Sequence, residues 1–262
     1  MLVLKLFLFR IQMKGYIKRK IVGLVQRMID ENNAVSQLDI KKHTLEVRNF
    51  DFLRQALGWE KLPQIDIEAV DRYRILEDLN ERNLRDMQVI LGACANKDAK
   101  GCNILEIGTA YGQTTTYMSH NAPLSTVYTL NIPPEEIEEG GEMVTYCLSH
   151  EEIGKEYKKA GCKNVVQILA NTLNWTPEMD SIDIAFIDGC HDPEFVYQDT
   201  VRVLSKCKKG SIILWHDFNP ELVDHYSWVG GVCSAVAKLY EDGHLSNKTL
   251  HLQDSYVGLY VV

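Results

Sequence analysis

No C-x-x-C pair, no apolar run long enough to cross a membrane and no excess of positive charge occurs in these 262 residues. The first absence leaves seven scattered cysteines, an odd number, which suits reduced thiols in a cytosol better than a disulfide framework or a zinc site. They read as small core residues. The second excludes a transmembrane segment. The third, a net charge of −8, argues against nucleic acid as the main partner, because phosphate binding depends on clustered Lys and Arg displacing counterions. Internal repeats and low-complexity tracts are lacking too. What is there, 45% apolar and 24% charged residues, is the composition of a soluble globular protein with a sizeable core.

The N-terminal MLVLKLFLFRIQMKGYIKRK does not read as a secretory leader: its apolar run is short, its positive charges follow that run, and no A-x-A cleavage pattern is present. It reads as an amphipathic anchor or as part of a helix packed on the body or a partner. With Met13 as the start, the first twelve residues would be incidental.

Residues 14 to about 97 read as helical, since IVGLVQRMI and VDRYRILEDLNERNLRDMQVILGACA carry apolar residues at helical spacing, with GWEKLPQID a turn or linker between them. No strand is expected there. From residue 103 the pattern changes to short apolar runs, NILEIG, STVYTLNI, NVVQILA, SIDIAFID and GSIILWHD, each separated by a helix-length segment. That rhythm means a parallel α/β sheet with crossover helices. TLHLQDSYVGLYVV then holds two β-rich runs split by a few polar residues, an antiparallel hairpin. The expected architecture is a Rossmann-like, mostly parallel seven-stranded sheet closed by that hairpin, with residues 1–85 an N-terminal helical extension and 86–262 the α/β domain.

NILEIGTAYGQTT places Glu106 at the end of the first of these strands and Gly108 and Gly112 in the turn before a helix. Ligands of open α/β sheets bind at the carboxyl ends of strands, where glycine lets the backbone come close. The spacing G-x-x-x-G is neither the dinucleotide G-x-G-x-x-G nor a P-loop, so a pyrophosphate cradle is disfavoured.

With this turn the chain resembles the class I S-adenosylmethionine-dependent methyltransferases, in particular the branch whose E-x-G-x-x-x-G first motif is shared by catechol- and caffeoyl-CoA-type O-methyltransferases. The resemblance covers residues 86–262, about two thirds of the chain, closing hairpin included. It implies that Glu106, Gly108, Thr109 and Gly112 lie against the methionine half of S-adenosylmethionine, with Thr114 and Thr115 placed to donate to its carboxylate. The family's second strand usually ends in an acid that accepts both ribose hydroxyls, where this chain has Asn131; Asn171 likewise stands where an Asp is common near the adenine. An amide accepts one hydroxyl and donates to another, so binding survives with lower affinity.

AFIDGCHDPEF resembles the family's fourth-strand motif FIDGDH, and GSIILWHDFNP the segment after its fifth strand. Both end at the carboxyl edge of the sheet, so Asp188, His191, His216, Asp217 and Asn219 should converge on one rim, Asp188 also bordering the cofactor. In the catechol-type branch the fourth-strand acid and an Asp-Asn pair after the fifth bind Mg²⁺. The resemblance carries Asp188 and Asp217 into that set, and Asn219 with a one-residue shift, because the chain reads Asp217-Phe218-Asn219. Two functional roles stay open for His191 and His216, ligands of a softer divalent metal or general base for the acceptor's proton, and a structural one for His191, a hydrogen bond into the helix cap that follows it.

Other residues read more plainly. Asp192-Pro193 is an N-cap followed by proline at the first helical position, while His225, His244 and His251 read as surface or strand residues. Trp215, Tyr226, Trp228 and Tyr73 wall an acceptor pocket or belong to the core. The acidic PPEEIEEGGEM is a solvated loop or a lid over the cofactor, and EIGKEY begins a crossover helix.

The resemblance therefore implies a cytoplasmic S-adenosylmethionine-dependent O-methyltransferase that modifies a small-molecule or sugar hydroxyl, in natural-product or polysaccharide tailoring, with Mg²⁺ or another divalent cation assisting. Its N-terminal extension would cap the acceptor site or form a homodimer interface. Two alternatives stand beside it. A cofactor-binding scaffold of the same fold is kept open by Asn131 and Asn171. A nicotinamide-dependent oxidoreductase is disfavoured by the missing G-x-G-x-x-G turn and by the hairpin.

Overall fold

A computed structural model of the chain describes residues 40–65, 77–139 and 147–262. The segment IVGLVQRMI, the first part of VDRYRILED, Tyr73 and residues 140–143 of the acidic run lie outside the described residues.

Among the described residues eight strands form one sheet: β1 Thr44–Val47, β2 Asn103–Ile107, β3 Thr126–Asn131, β4 Val165–Leu169, β5 Ile182–Ile187, β6 Cys207–Trp215, β7 Thr249–Leu252 and β8 Gly258–Val261, in the order β1-β7-β8-β6-β5-β2-β3-β4. Only β8 runs antiparallel to its neighbours, β6 on one side and β7 on the other. The α-helices among the described residues are α1 Phe50–Leu57, α2 Glu77–Lys97, α3 Gln113–Asn121, α4 Lys155–Lys159, α5 Pro193–Leu204 and α6 Ser227–Glu241.

Every apolar run singled out from residue 103 onward is a strand, because a strand buried on both faces shows itself as unbroken apolar sequence. The expected seven strands become eight, and the correction falls in the N-terminal third, where none was expected. Thr44–Val47 pairs in parallel with β7, Thr44 opposite Thr249 and Val47 opposite Leu252. Four residues of the sequence TLEV are too short for alternation to register, and their pairing partner lies at the other end of the chain.

The period of two along each strand divides the core. On β5 and β6, Ile184, Phe186, Ile212 and Leu214 face α1, α2 and α3, whereas Ala185, Ile187, Ile213 and Trp215 face α5 and α6. Trp215 is fully buried, donating from Nε1 to Thr200 Oγ1 at 2.9 Å, so it belongs to the core and does not wall a pocket. All seven cysteines are free thiols. Among the described residues no helix is long and apolar enough to cross a membrane.

Candidate active site

Asp188 and His216 leave adjacent strands at the same height. Asp188 N donates to Ile107 O at 2.8 Å and His216 N to Ile187 O at 3.0 Å, so the ladder carries both residues one step past the apolar core. Alternation then sends the His216 ring to the face of Ile212 and Leu214, where it stands edge-on to Phe186 with ring centroids 5.9 Å apart. The chain turns sharply at Asp217, whose φ of 53° is left-handed. Asp tolerates this region better than most residues, yet the turn stores about 1 kcal/mol and brings the Asp217 carboxylate back beside Asp188.

Two glycines permit the loops to close on each other. Gly108 has φ of 106°, and a β-carbon there would lie 2.0 Å from the carbonyl oxygen of Asp188. Gly231 on α6 sits against the carbonyl of His191, which lets the helix press on the loop after β5.

Asp188, His191, His216 and Asp217 each present one ligand atom, and the four atoms lie within 4.8 Å of one another. His191 Nε2 is 3.0 Å from Asp217 Oδ2 and 3.6 Å from Asp188 Oδ1; His216 Nδ1 is 3.0 Å from Asp188 Oδ1 and 3.5 Å from Asp217 Oδ2. Both nitrogens are buried, and neither has a hydrogen-bond partner of acceptable angle. The two rings and two carboxylates thus crowd into one small space, each ring nitrogen facing both acids. Asn219 stands apart: its Nδ2 donates to Ser255 O at 3.1 Å and its Oδ1 accepts from Glu221 N at 3.0 Å, so its amide is occupied in shaping two turns.

The charges reinforce one another. Burial opposes ionisation of all four groups, but the two carboxylates outweigh it for the rings: His191 rises from 6.5 to about 9, and His216 rises well above 6.5. For Asp188 and Asp217, burial is likewise outweighed, by His216 first and then His191, and both carboxyls fall below their ordinary 3.8. In the ion-free protein the cluster is two cations facing two anions.

Beside it opens a cleft of about 140 Å³, lined among others by Gly108, Asn131, Asn171, Asp188, His191 and Phe195. Glu106, Thr109, Gly112 and Thr114 do not line it. Glu106 is buried behind the glycine turn, accepting from the hydroxyls of Thr115 and Thr129, and burial raises its carboxyl to about 8. It supports the turn from beneath. Asn131 uses both ends of its amide locally, Oδ1 accepting from Ala110 N at 3.0 Å and Nδ2 donating to Ile132 O at 2.9 Å. Asn171 accepts from Leu173 N at 3.0 Å, while its Nδ2 is buried without a partner. Tyr226 and Trp228, at the start of α6, are exposed and pack on each other with centroids 4.9 Å apart. Asp192 is the N-cap residue of α5, with proline following it.

Sequence reasoning missed Asp86, on α2, which is 3% exposed. Its Oδ2 lies 3.9 Å from His216 Nε2. The signal was a single acid in the otherwise apolar inner stripe of DMQVILGACA.

Residues 105–218 match a family model described as a methyltransferase domain. Among solved structures the chain is similar in fold to a Klebsiella pneumoniae protein taken to be an O-methyltransferase (18% identity, TM-score 0.52, covering 81% of this chain and 94% of that one). It is similar also to an O-methyltransferase from Bacillus cereus in complex with SAH (16%, 0.51, covering 85% and 100%). A third is the O-methyltransferase TomG from Streptomyces achromogenes, involved in tomaymycin synthesis and solved with SAM (15%, 0.50, covering 80% and 95%). At these identities the likeness is one of fold: a Rossmann-like methyltransferase sheet with an antiparallel C-terminal hairpin. A search of curated proteins found no match.

Proposed function

We propose that the protein is an S-adenosylmethionine-dependent methyltransferase that modifies a hydroxyl oxygen of a small molecule or sugar, with a divalent cation at the Asp188, His191, His216 and Asp217 cluster. The observation that carries this reading is the convergence of those four side chains, two of which, Asp188 and His191, line the same cleft as Gly108, Asn131 and Asn171. A ligand crevice at the carboxyl edge of such a sheet is where a cofactor belongs.

The residues fit an ion. Ligands about 2.1 Å from a common metal stand roughly 3.0–3.4 Å apart in octahedral or tetrahedral arrangement, and the closest pairs here are 3.0 Å apart, the next 3.5 and 3.6 Å. Each of the two buried ring nitrogens lies 3.0 Å from a carboxylate oxygen without making a well-aligned hydrogen bond to it, an arrangement that suits a shared ion. Two imidazoles with two carboxylates favour Mn²⁺, Fe²⁺ or Zn²⁺ over Mg²⁺, and His191 and His216 take the places for which Asn219 was expected. Such an ion, when bound, lowers the pKa of an acceptor hydroxyl and fixes its orientation.

The chain's own residues do the rest. Asn171 offers its buried Nδ2 to a ring nitrogen of the adenine, and Gly108 lets the cofactor approach the sheet edge. Glu106, Thr109, Gly112, Thr114 and Thr115 act at one remove by holding the turn. Trp228 lies one helical turn before Gly231 and hence before the loop of His191, so Tyr226 and Trp228 offer the acceptor a flat apolar surface. Methyl transfer needs little beyond in-line placement and a deprotonated nucleophile. Seven free thiols suit work in a reducing cytosol.

Calorimetric titration with S-adenosylmethionine and S-adenosylhomocysteine tests the cofactor. Heat with both is expected; silence with both, but heat with a nicotinamide cofactor, overturns the reading. Radiolabelled methyl transfer to a panel of phenols and sugars, after chelation and again with Mn²⁺ restored, tests the ion. Full activity in the chelated protein returns the weight to a histidine base.

A further inference from the structure

Among the described residues the two most exposed large apolar side chains are Leu124, at 68%, and Leu62, at 64%. Both belong to the amino edge of the sheet, opposite the ligand crevice, and both are held there. Lys61, beside Leu62, is clamped by Asn96: its N donates to Asn96 Oδ1 and its O accepts from Asn96 Nδ2, each at 2.9 Å. Leu124 N donates to Asp98 Oδ1 at 2.9 Å. The two leucines are thus tied to positions 96 and 98, at the end of α2. Asn121 closes the link, bonding Gln64 N at 2.7 Å and Gln64 O at 2.9 Å.

Exposed lysines surround them. Lys61 and Lys100 flank the end of α2. Lys163 precedes Asn164, whose Nδ2 donates to Ala122 O and Ser125 O on either side of Leu124. Lys208 and Lys209 lead into Gly210, whose carbonyl accepts from Lys97 Nζ at 2.6 Å. The exposed acids adjoining these segments are Glu60 and Asp180. Asp98 and Asp183 are spent inward, on Leu124 N and Ser125 Oγ and on Asn103 N. In a chain of net charge −8 this edge is locally positive. Beside Lys61 it also opens into a cleft of about 430 Å³, where Leu57, Trp59 and Ile212 meet Lys61 and Lys97.

Leucines standing out among lysines ask for a partner that is anionic and also receives apolar groups. A lipid surface with acidic headgroups offers both. The same pairing recurs in the sequence of residues 1–29, which is rich in Leu, Ile, Val and Phe and has seven basic residues and no acid. Two such signals together give firmer attachment than either alone.

We propose that the amino edge of the sheet docks on an anionic lipid bilayer, with Leu62 and Leu124 entering between headgroups and the lysines lying over them. The crevice and the Asp188 cluster, at the carboxyl edge, then face water, so the acceptor arrives from solution. The docking needs neither cofactor nor ion, and its test is independent of the reading above.

The full chain is sedimented with vesicles of phosphatidylcholine alone and of phosphatidylcholine with phosphatidylserine. Binding to the mixed vesicles is expected, about tenfold or more weaker without phosphatidylserine and weakened by salt. Leu62→Asp/Leu124→Asp and Lys208→Glu/Lys209→Glu, with folding checked by near-ultraviolet circular dichroism, should each weaken it about tenfold. Four of the five side chains changed or flanked are on the surface, and the two pairs are independent, so one serves if the other does not fold. Wild type that binds neither vesicle, or both alike, overturns the proposal. So does either folded pair binding like wild type, which would assign attachment to residues 1–29 alone, and so does binding to an RNA oligonucleotide in place of vesicles.

Discussion

The α-carbon of Gly231 rests against the main-chain carbonyl of His191, so closely that a β-carbon would stand 2.3 Å from that oxygen. Helix α6 therefore sets the height of the loop that carries His191. Gly231→Ala must push the loop outward, at a cost on the order of 2 kcal/mol, which lowers the melting temperature by roughly 5 °C. Mn²⁺ affinity should fall about tenfold as His191 retreats. A variant with wild-type melting temperature and ion affinity would show that the loop yields freely and that α6 does not position it.

Gly108→Ala should be harsher. It combines a φ of 106° with a contact of 2.0 Å to the carbonyl oxygen of Asp188. A loss on the order of 3–4 kcal/mol is expected, with S-adenosylhomocysteine binding abolished in whatever protein still folds. Thermal unfolding and calorimetry measure both, and intact cofactor binding would place the cofactor elsewhere.

Asn131 gives a test with either sign. Both ends of its amide serve the loop, so little remains for a ribose. Asn131→Asp keeps an acceptor for Ala110 N, loses the bond to Ile132 O and supplies a carboxylate for two hydroxyls. S-adenosylhomocysteine should bind about tenfold tighter, or roughly 1.4 kcal/mol, in a slightly less stable protein. Weaker binding would mean that the amide itself is the ribose contact.

The cluster makes stability depend on pH in a defined sense. His191 has its pKa raised from 6.5 to about 9, so its contribution is complete below 6.5 and is lost as pH climbs through 9. Glu106, raised from 4.5 to about 8, acts in the same direction, because the folded protein must ionise a buried acid as pH passes 8. Asp188 and Asp217 are lowered below 3.8, and their share is present above 3.8 and lost in strong acid. Ion-free protein should melt highest at about pH 4–6 and less high at about pH 9. Added Mn²⁺ should raise the melting temperature more at about pH 8.5 than at about pH 6, since binding must displace ring protons. The opposite ranking would remove the imidazoles from the ligand set.

Most of the sheet could be read in advance, because strands buried on both faces announce themselves as apolar runs and their ends mark the ligand edge. The convergence of Asp188, His191, His216 and Asp217 followed from that topology. Asn219 did not follow: which of two polar residues turns inward after β6 depends on the left-handed turn at Asp217 and on the bonds offered by Ser255 and Glu221, none of it visible in WHDFN. Glu106 looked like a cofactor contact in a one-dimensional motif, but its side chain points behind the turn to Thr115 and Thr129. Strand β1 and Asp86 escaped notice for a shared reason, since each takes its meaning from a partner more than a hundred positions away.

That distance bears on how the protein is made. Thr44 pairs with Thr249, and Asp86 receives the amide of Tyr256, 170 positions further on. During synthesis strand β1 and Asp86 emerge well before the partners they meet in β7 and at Tyr256, and long loops close only when both ends exist. Asp86 is made 170 positions before the amide that seats it, so this side of the site cannot be completed until the hairpin segment has folded back.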